Sequence, residues 1–305
     1  GSGQETTDWL RSFRDNNDGV QLIEHPVNHG YTHAVNTGLA VSAAPYLLLL
    51  NSDTIVTRGW LGGLLACLTS NPRIGIVGPL SNAATWQSVP ELYDDRQHFA
   101  HNALPPGLSP DDMALVIAHA ATRSYPQTPF VNGFCFLLKR DLMASIGFMD
   151  AEHFPQGYGE ENDYCIRAAD AGFTLRIADD VYVYHAQSKS FGHERREALS
   201  AVGFQALEKK HGSRRFHDLV ERAKDTSRLD RVRARIRHSL QLYQRWQALR
   251  VQALQGVDTQ PYLPRHLASP SIPSMDIPLH ILIYSDQPGP DLRLTLEALT
   301  PDTLP

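Results

Sequence analysis

The sequence predicts an α/β fold: a Rossmann-like sheet flanked by helices, followed by a C-terminal helical extension. Three observations lead there. A short uninterrupted apolar run at 47–50 is bounded by turn residues, the pattern of a strand covered by helices on both faces, and apolar-rich runs at 74–79 and 130–138 continue the sheet. Stretches of helical periodicity alternate with these runs, as sheets with crossover helices require. Beyond residue 200 strand-like runs give way to long segments with apolar residues spaced by three and four.

Residues 7–14 place Trp9, Leu10 and Phe13 on one helical face, and Asn16-Asn17-Asp18-Gly19 ends that helix. Residues 20–24 read as a short strand. Residues 28–40 begin as a polar, Gly-containing loop and continue as a helix, a junction that offers backbone N–H groups to an anion. The next strand ends at Leu50, where four leucines stop abruptly at Asn51-Ser52-Asp53. A helix over 60–69 is closed by Asn71-Pro72 and followed by a strand over 74–79. From 81 to 125 the chain is irregular, with Pro90, Pro105, Pro106 and Pro110 and one helix over 111–122. An excursion of that length inside a compact domain is a candidate wall for a binding site.

The strand over 130–138 contains Gly133, where something can approach the backbone closely. A brief helix over 139–146 precedes a loop at 154–159. Glu160-Glu161-Asn162-Asp163 then opens a helix stopped by Gly172; acids in a first turn are favoured by the helix dipole. Strands over 173–177 and 181–184 end on His185. Helices are expected over 195–211 and 214–255, a proline-rich linker over 257–276, a strand over 279–286 and a helix over 291–299.

Composition narrows the partners. A hydrophobic share of 42% supports a full core, and a net charge of -5 with pI near 6.3 gives no reason to expect nucleic acid. Cys67, Cys135 and Cys165 are widely spaced and odd in number, which fits buried thiols in a reducing compartment. No apolar run approaches the roughly 18–20 residues that cross a bilayer. Gly1-Ser2-Gly3 looks like a cloning scar, and the expected setting is cytoplasmic, peripheral to the inner face of the membrane.

Several residues carry chemistry. Open α/β sheets bind ligands at the carboxyl ends of their strands, so Asn51, Ser52 and Asp53 sit where a ligand is expected. Asp53 is a hard oxygen donor suited to a divalent cation. The tripeptide is equally an ordinary turn, the acids at 160–163 an ordinary capping cluster, and His185 an ordinary surface histidine when each is taken alone.

Taken in order, Asn28-x-Gly30 through Asn36-Thr37-Gly38-Leu39, then Asn51-Ser52-Asp53, then Gly159-Glu160-Glu161-Asn162-Asp163-Tyr164, then Val183-Tyr184-His185 resemble the family 2 glycosyltransferases, inverting enzymes with a GT-A type mixed sheet. The resemblance covers residues 5–200. It implies a nucleotide-sugar donor, a glycan or lipid-linked acceptor, and a divalent cation, Mn²⁺ or Mg²⁺. It makes Asp53 and His185 the metal ligands and Glu161 the catalytic base. Asn28, Gly30, Asn36, Asn51 and Ser52 fall beside the nucleotide, with Asn51 standing where the family often has a first acid. Glu160, Asp163, Trp86, Asn132 and Gly133 are candidate acceptor contacts.

The usual opening strand-helix-strand of that family is missing from its usual place. The strand-helix unit expected over 277–305 resembles it, so that unit either begins a second domain of a longer chain or completes the first sheet in permuted order. The expected organisation is a glycosyltransferase domain over 1–200, a helical extension over 201–256, a linker over 257–276 and the unit over 277–305. In the extension Arg228, Arg231, Arg233, Arg235, Arg237 and Arg245 lie off the apolar stripe, a charged side for solvent or for anionic lipid. A sugar-transferring enzyme in cell-surface polysaccharide biosynthesis is the first expectation. A non-catalytic glycan-binding or scaffold module of a larger protein is the competing class, and a nucleotidyltransferase is disfavoured because no Gly-rich basic phosphate loop is visible.

Overall fold

The computed structural model describes residues 3–186, 193–225, 227–253, 279–284 and 296. In chain order the elements are helices α1 (Gln4–Asp15) and α2 (Tyr31–Val41), strands β1 (Tyr46–Asn51) and β2 (Thr54–Ile55), α3 (Trp60–Thr69), β3 (Ile74–Leu80), α4 (Pro110–Ala120), β4 (Cys135–Lys139), α5 (Arg140–Ile146) and α6 (Glu160–Asp170). They continue with β5 (Thr174–Tyr182), β6 (Tyr184–His185), α7 (His193–His211), α8 (Ser213–Lys224), α9 (Ser227–Ala253) and β7 (Leu279–Tyr284). Five strands form one mixed sheet in the order β5-β3-β4-β1-β7, and β2 pairs with β6 in a separate ribbon. β4 runs antiparallel to both β1 and β3, while β1 and β7, and β3 and β5, are parallel. The expected α/β sheet flanked by helices, with a helical C-terminal region, is what the chain forms.

The tetraleucine explains the centre. Alternate residues of a strand face opposite sides, and Leu47 and Leu49 enter one core layer with Val35, Phe136 and Tyr164. Leu48 and Leu50 enter the other with Trp60, Leu64 and Leu137. A third cluster, including Met113, Ile117, Val232 and Ile236, joins α4 to α9. α4 starts on a full capping box, Ser109 and Asp112 exchanging bonds with each other's backbone, which fixes where the irregular segment returns to the sheet.

Four expectations change. Residues 20–24 are not a strand: Val20 and Ile23 are 41% and 38% exposed, no strand among the described residues pairs with them, and Glu24 instead accepts two bonds from Arg11 at 3.0 and 2.7 Å. The run at 130–138 enters the ladder only at Cys135, because the Asn132 side chain accepts the Phe134 N–H at 3.2 Å and turns the chain first. The strands expected either side of 178–180 are one, β5, since buried Asp179 accepts the backbone N–H groups of Thr122, Ser124 and Tyr125 rather than turning to solvent. The long helix over 214–255 is two, broken near Asp225, whose carboxylate accepts the Ser227 N–H at 3.3 Å.

β7 lies along the outer edge of β1, with Tyr46 opposite Leu279 and Asn51 opposite Tyr284. Gly38 of α2 allows the approach: a Cβ there would sit 3.2 Å from a methyl of Leu282. The expected linker over 257–276 and helix over 291–299 lie outside the described residues, apart from residue 296. Among the described residues no helix is long and apolar enough to cross a membrane.

Candidate functional site

At the carboxyl end of β1 the chain makes a tight turn. The Asn51 N–H donates to the Phe134 carbonyl at 2.8 Å, and the Thr54 hydroxyl donates back to the Asn51 carbonyl at 2.9 Å. The turn feeds β2, whose Thr54 is paired with His185 of β6, and the Ala186 N–H donates to the Asp53 carbonyl at 2.8 Å. Asp53 and His185, far apart along the chain, are thereby brought together, with His185 Nε2 3.2 Å from Asp53 Oδ1.

The histidine is held on every side. Asn82 accepts its backbone N–H at 2.7 Å and donates to its carbonyl at 2.9 Å, and its ring stacks on Phe134 with centroids 5.0 Å apart. His185 Nδ1 lies 3.0 Å from the Ala83 carbonyl. A carbonyl only accepts, so Nδ1 carries a hydrogen, and Nε2 faces the Asp53 carboxylate. That donor set fits a divalent cation completed by ligand or water oxygens; among the described residues no three of His, Cys, Asp and Glu gather into a fuller protein site.

The second half of the site is the start of α6. Gly157, Tyr158 and Gly159 all have positive φ, at 86°, 64° and 140°, which for Tyr158 is a strained conformation. The turn aims the Gly159 N–H at both carboxyl groups, 3.1 Å from Glu160 Oε2 and 3.3 Å from Glu161 Oε2. Burial raises the proton affinity of both, Glu160 well above the ordinary carboxyl range. Repulsion by Glu161 adds to the effect at Glu160, and the bond between them lets Glu160 keep the proton and Glu161 the charge.

Gly133 and Phe134 join the two halves. A Cβ on Gly133 would lie 3.5 Å from that of Glu161, while the next residue, Phe134, stacks on His185. Adjacent Cα atoms are about 3.8 Å apart, so the acid-histidine pair and the paired glutamates flank one short stretch of backbone.

Other sequence-predicted residues serve the scaffold. Asn28 closes a local turn by accepting the Gly30 N–H at 2.8 Å. Gly30, at φ 91°, faces the Pro155 carbonyl so closely that no side chain fits. Asn36 was expected beside a nucleotide, but its amide donates to the Met149 carbonyl at 2.8 Å and accepts the Met149 N–H at 3.1 Å. With Thr32 donating to the Phe154 carbonyl, these contacts make α2 the anchor of the loop that presents Glu160 and Glu161.

Asp163 is corrected in the same way. It is 0% exposed and accepts from Arg167 at 2.8 Å, Lys210 at 2.7 Å and His211 at 2.7 Å, so it fastens α7 to α6 and offers nothing to an acceptor. Asn132 donates its N–H to Gln87 Oε1 at 2.7 Å, and the Trp86 ring packs edge-on against Phe99 at 4.6 Å. Ser52 stays in the turn between β1 and β2.

Phe134, Asn82 and Gln87 escaped the sequence reading, and Arg233, set by its spacing on the charged side of the helix, is buried instead. Arg233 donates to the Ser88 and Trp86 carbonyls at 3.0 and 2.7 Å. Arg235 and Arg237, which are exposed and half-buried, also donate to protein carbonyls, those of His119 and Pro90. An arginine off the apolar stripe of a helix gives no signal that it reaches inward.

Residues 1–147 match the family described as Glycosyl transferase family 2. The chain is similar to a pre-mycofactocin glycosyltransferase of Mycobacterium tuberculosis, 28% identical over 166 residues that make up 54% of this chain and 32% of that protein. It is also similar to a galactofuranosyl glycosyltransferase of Leishmania donovani, 26% identical over 200 residues, 59% of this chain and 45% of that one. The matches thus span less than half the length of either relative. Among solved structures, the mannosyltransferase PcManGT of Pyrobaculum calidifontis, in complex with GDP-Man and Mn²⁺, aligns with a TM-score of 0.47 at 15% identity, over 82% of this chain and 68% of that one. Over residues 1–147, just under half of its length, the chain is thus similar to glycosyl transferase family 2.

Proposed function

We propose that this chain transfers a sugar from a nucleotide-sugar donor to a hydroxyl of a glycan or lipid-linked acceptor, with inversion, in the synthesis of a cell-surface polysaccharide. The observation that carries the reading is the convergence around Gly133 and Phe134: the Asp53–His185 pair at 3.2 Å on one side and Glu161 on the other. The family of residues 1–147 and the glycosyltransferase names of the relatives support the reaction class.

Asp53 and His185 would hold the cation, Mn²⁺ at least as readily as Mg²⁺ given one imidazole and one carboxylate. Bound there, a divalent ion supplies positive charge for a diphosphate that becomes more negative as it departs. Asn82, the Ala83 carbonyl and the Phe134 ring keep His185 in the tautomer and orientation that role needs. Glu161 accepts the proton of the acceptor hydroxyl while that oxygen bonds to the anomeric carbon from the face opposite the nucleotide. The bond from that carbon to the diphosphate oxygen breaks with its electron pair. Protonated Glu160 donates toward Glu161 and keeps a second negative charge out of the same buried space.

Calorimetry with UDP- and GDP-sugars, with and without Mn²⁺, tests the donor half. Binding is expected to require the cation, and Asp53→Ala is expected to weaken it by about 2–4 kcal/mol, the range for losing a charged partner. Cation-independent binding that Asp53→Ala leaves intact would reject the site.

A further inference from the structure

Helix α7 belongs to the C-terminal extension, yet it touches the turn that presents the paired glutamates. Gly203 lies so close to the Tyr158 carbonyl oxygen that a Cβ there would overlap it and would come within 2.8 Å of the carbonyl carbon. The peptide unit that begins with this carbonyl ends in the Gly159 N–H, the group that donates to Glu160 and Glu161 at 3.1 and 3.3 Å. One peptide plane is therefore backed by Gly203 on its oxygen side and bonded to both carboxyl groups on its nitrogen side.

Three further observations make this a held geometry. Tyr158 sits at φ 64°, a conformation that persists only when its surroundings enforce it. Gly159 is enclosed by Phe154 and Leu207: a Cβ there would meet the Phe154 ring at 2.8 Å and a Leu207 methyl at 3.4 Å. One turn further along α7, Lys210 bridges Asp150 and Asp163 at 2.6 and 2.7 Å, and His211 bonds Asp163 at 2.7 Å, which locks the helix to both ends of the loop.

We propose that Gly203 and Leu207 of α7 are positioning residues for the proposed base: by seating the Tyr158–Gly159 peptide they aim its N–H at the Glu160–Glu161 pair. The inference rests on the reading of Glu161 as the base. Its physical content is separate, because an N–H bonded to a carboxylate favours the ionised form whatever that carboxylate does.

The test labels glutamate carboxyl carbons with ¹³C and follows their titration by NMR in the whole chain, with Glu160→Gln and Glu161→Gln spectra assigning the pair. In parallel, nucleoside diphosphate release from UDP-galactose and GDP-mannose with Mn²⁺ is measured against pH, water serving as the acceptor. Gly203→Ala must displace the peptide and weaken the N–H bonds, so both carboxyl titrations and the acidic limb of the rate profile should move to higher pH. kcat should fall about ten- to a hundredfold with donor KM nearly unchanged, the scale of one charge-assisted hydrogen bond. Leu207→Ala, which adds no clash and covers a failure of the first variant to fold, should shift the same signals in the same direction by less.

Titrations and turnover like those of the unaltered chain in both variants overturn the proposal, since alanine would otherwise simply suit a helix better than glycine. Turnover retained by Glu161→Gln removes the base itself, and with it the role given to α7; the titration shifts alone would then report a structural contact.

Discussion

Glu160 and Glu161 are the residues in which fold and chemistry oppose each other most directly. Two carboxyl groups sit side by side, Glu160 buried and Glu161 half-buried, and the backbone N–H groups of Gly159 and the first turn of α6, with the helix dipole, offset the cost of charge there. Glu161→Gln keeps the shape but cannot accept a proton, so donor affinity should stay within about twofold while transfer falls by about a hundredfold or more, the contribution typical of a positioned base. Isothermal calorimetry and a product assay separate the two effects. Glu160 makes a different prediction. Its folded-state proton affinity lies above the unfolded value, so the folded protein binds more protons than the unfolded one between those two pKa values, and stability falls as pH rises through that window. Glu160→Gln, neutral at every pH, should therefore melt higher than the parent at neutral pH. The difference should disappear below about pH 4, where a free carboxyl is protonated too. A pair of melting curves at the two pH values checks it.

Elements divide into those whose neighbours lie close in sequence and those whose neighbours do not. α3 forms over Trp60–Thr69, the span its apolar spacing predicts, because amphipathic period and the Asn71-Pro72 stop are local facts. The same holds for β1 and for the placing of Asp53 at its end. Asn36 misled for the opposite reason: an asparagine at a loop-helix junction suits an anion, but Met149, over a hundred residues away, takes both ends of its amide. The stacking of Phe134 on His185 and the contact of Gly203 with Tyr158 are likewise long-range, and neither leaves a mark in local pattern. α9 is the clearest case. Its periodicity suggested a charged side for solvent or lipid, whereas Arg233 is buried and carries the carbonyls of Trp86 and Ser88, which adjoin the Gln87 that holds Asn132. Burial disfavours the charge of Arg233, so Arg233→Met relieves one cost and leaves two carbonyls without donors. The net expected is a loss of about 1–3 kcal/mol in urea unfolding, with Arg233→Lys little better because an ammonium lacks the planar fork.

The molecule as a whole depends on how its main sheet ends. On one side β5 is covered by α4 and by the loop that Asp179 organises. On the other the edge of β1 would be four buried leucines with unpaired backbone, the kind of edge that pairs with other chains. β7 occupies that edge in parallel, from Tyr46 opposite Leu279 to Asn51 opposite Tyr284, and Leu282 packs on Gly38 of α2. Parallel pairing puts the carboxyl end of β7 beside Asn51, on the side of the sheet where Asp53 lies and where open α/β sheets take their ligands. If residues 277–305 complete this sheet, a chain ending at residue 276 should lose about 2–4 kcal/mol, a fall in Tm of roughly 3–6 °C for a protein of this size. It should also scatter light on standing and bind nucleotide sugars more weakly. If the segment instead opens a second domain, the shortened chain should melt unchanged and stay monomeric. Calorimetric melting with light scattering on the two lengths decides between them, because only a strand that belongs to the sheet can be missed by it.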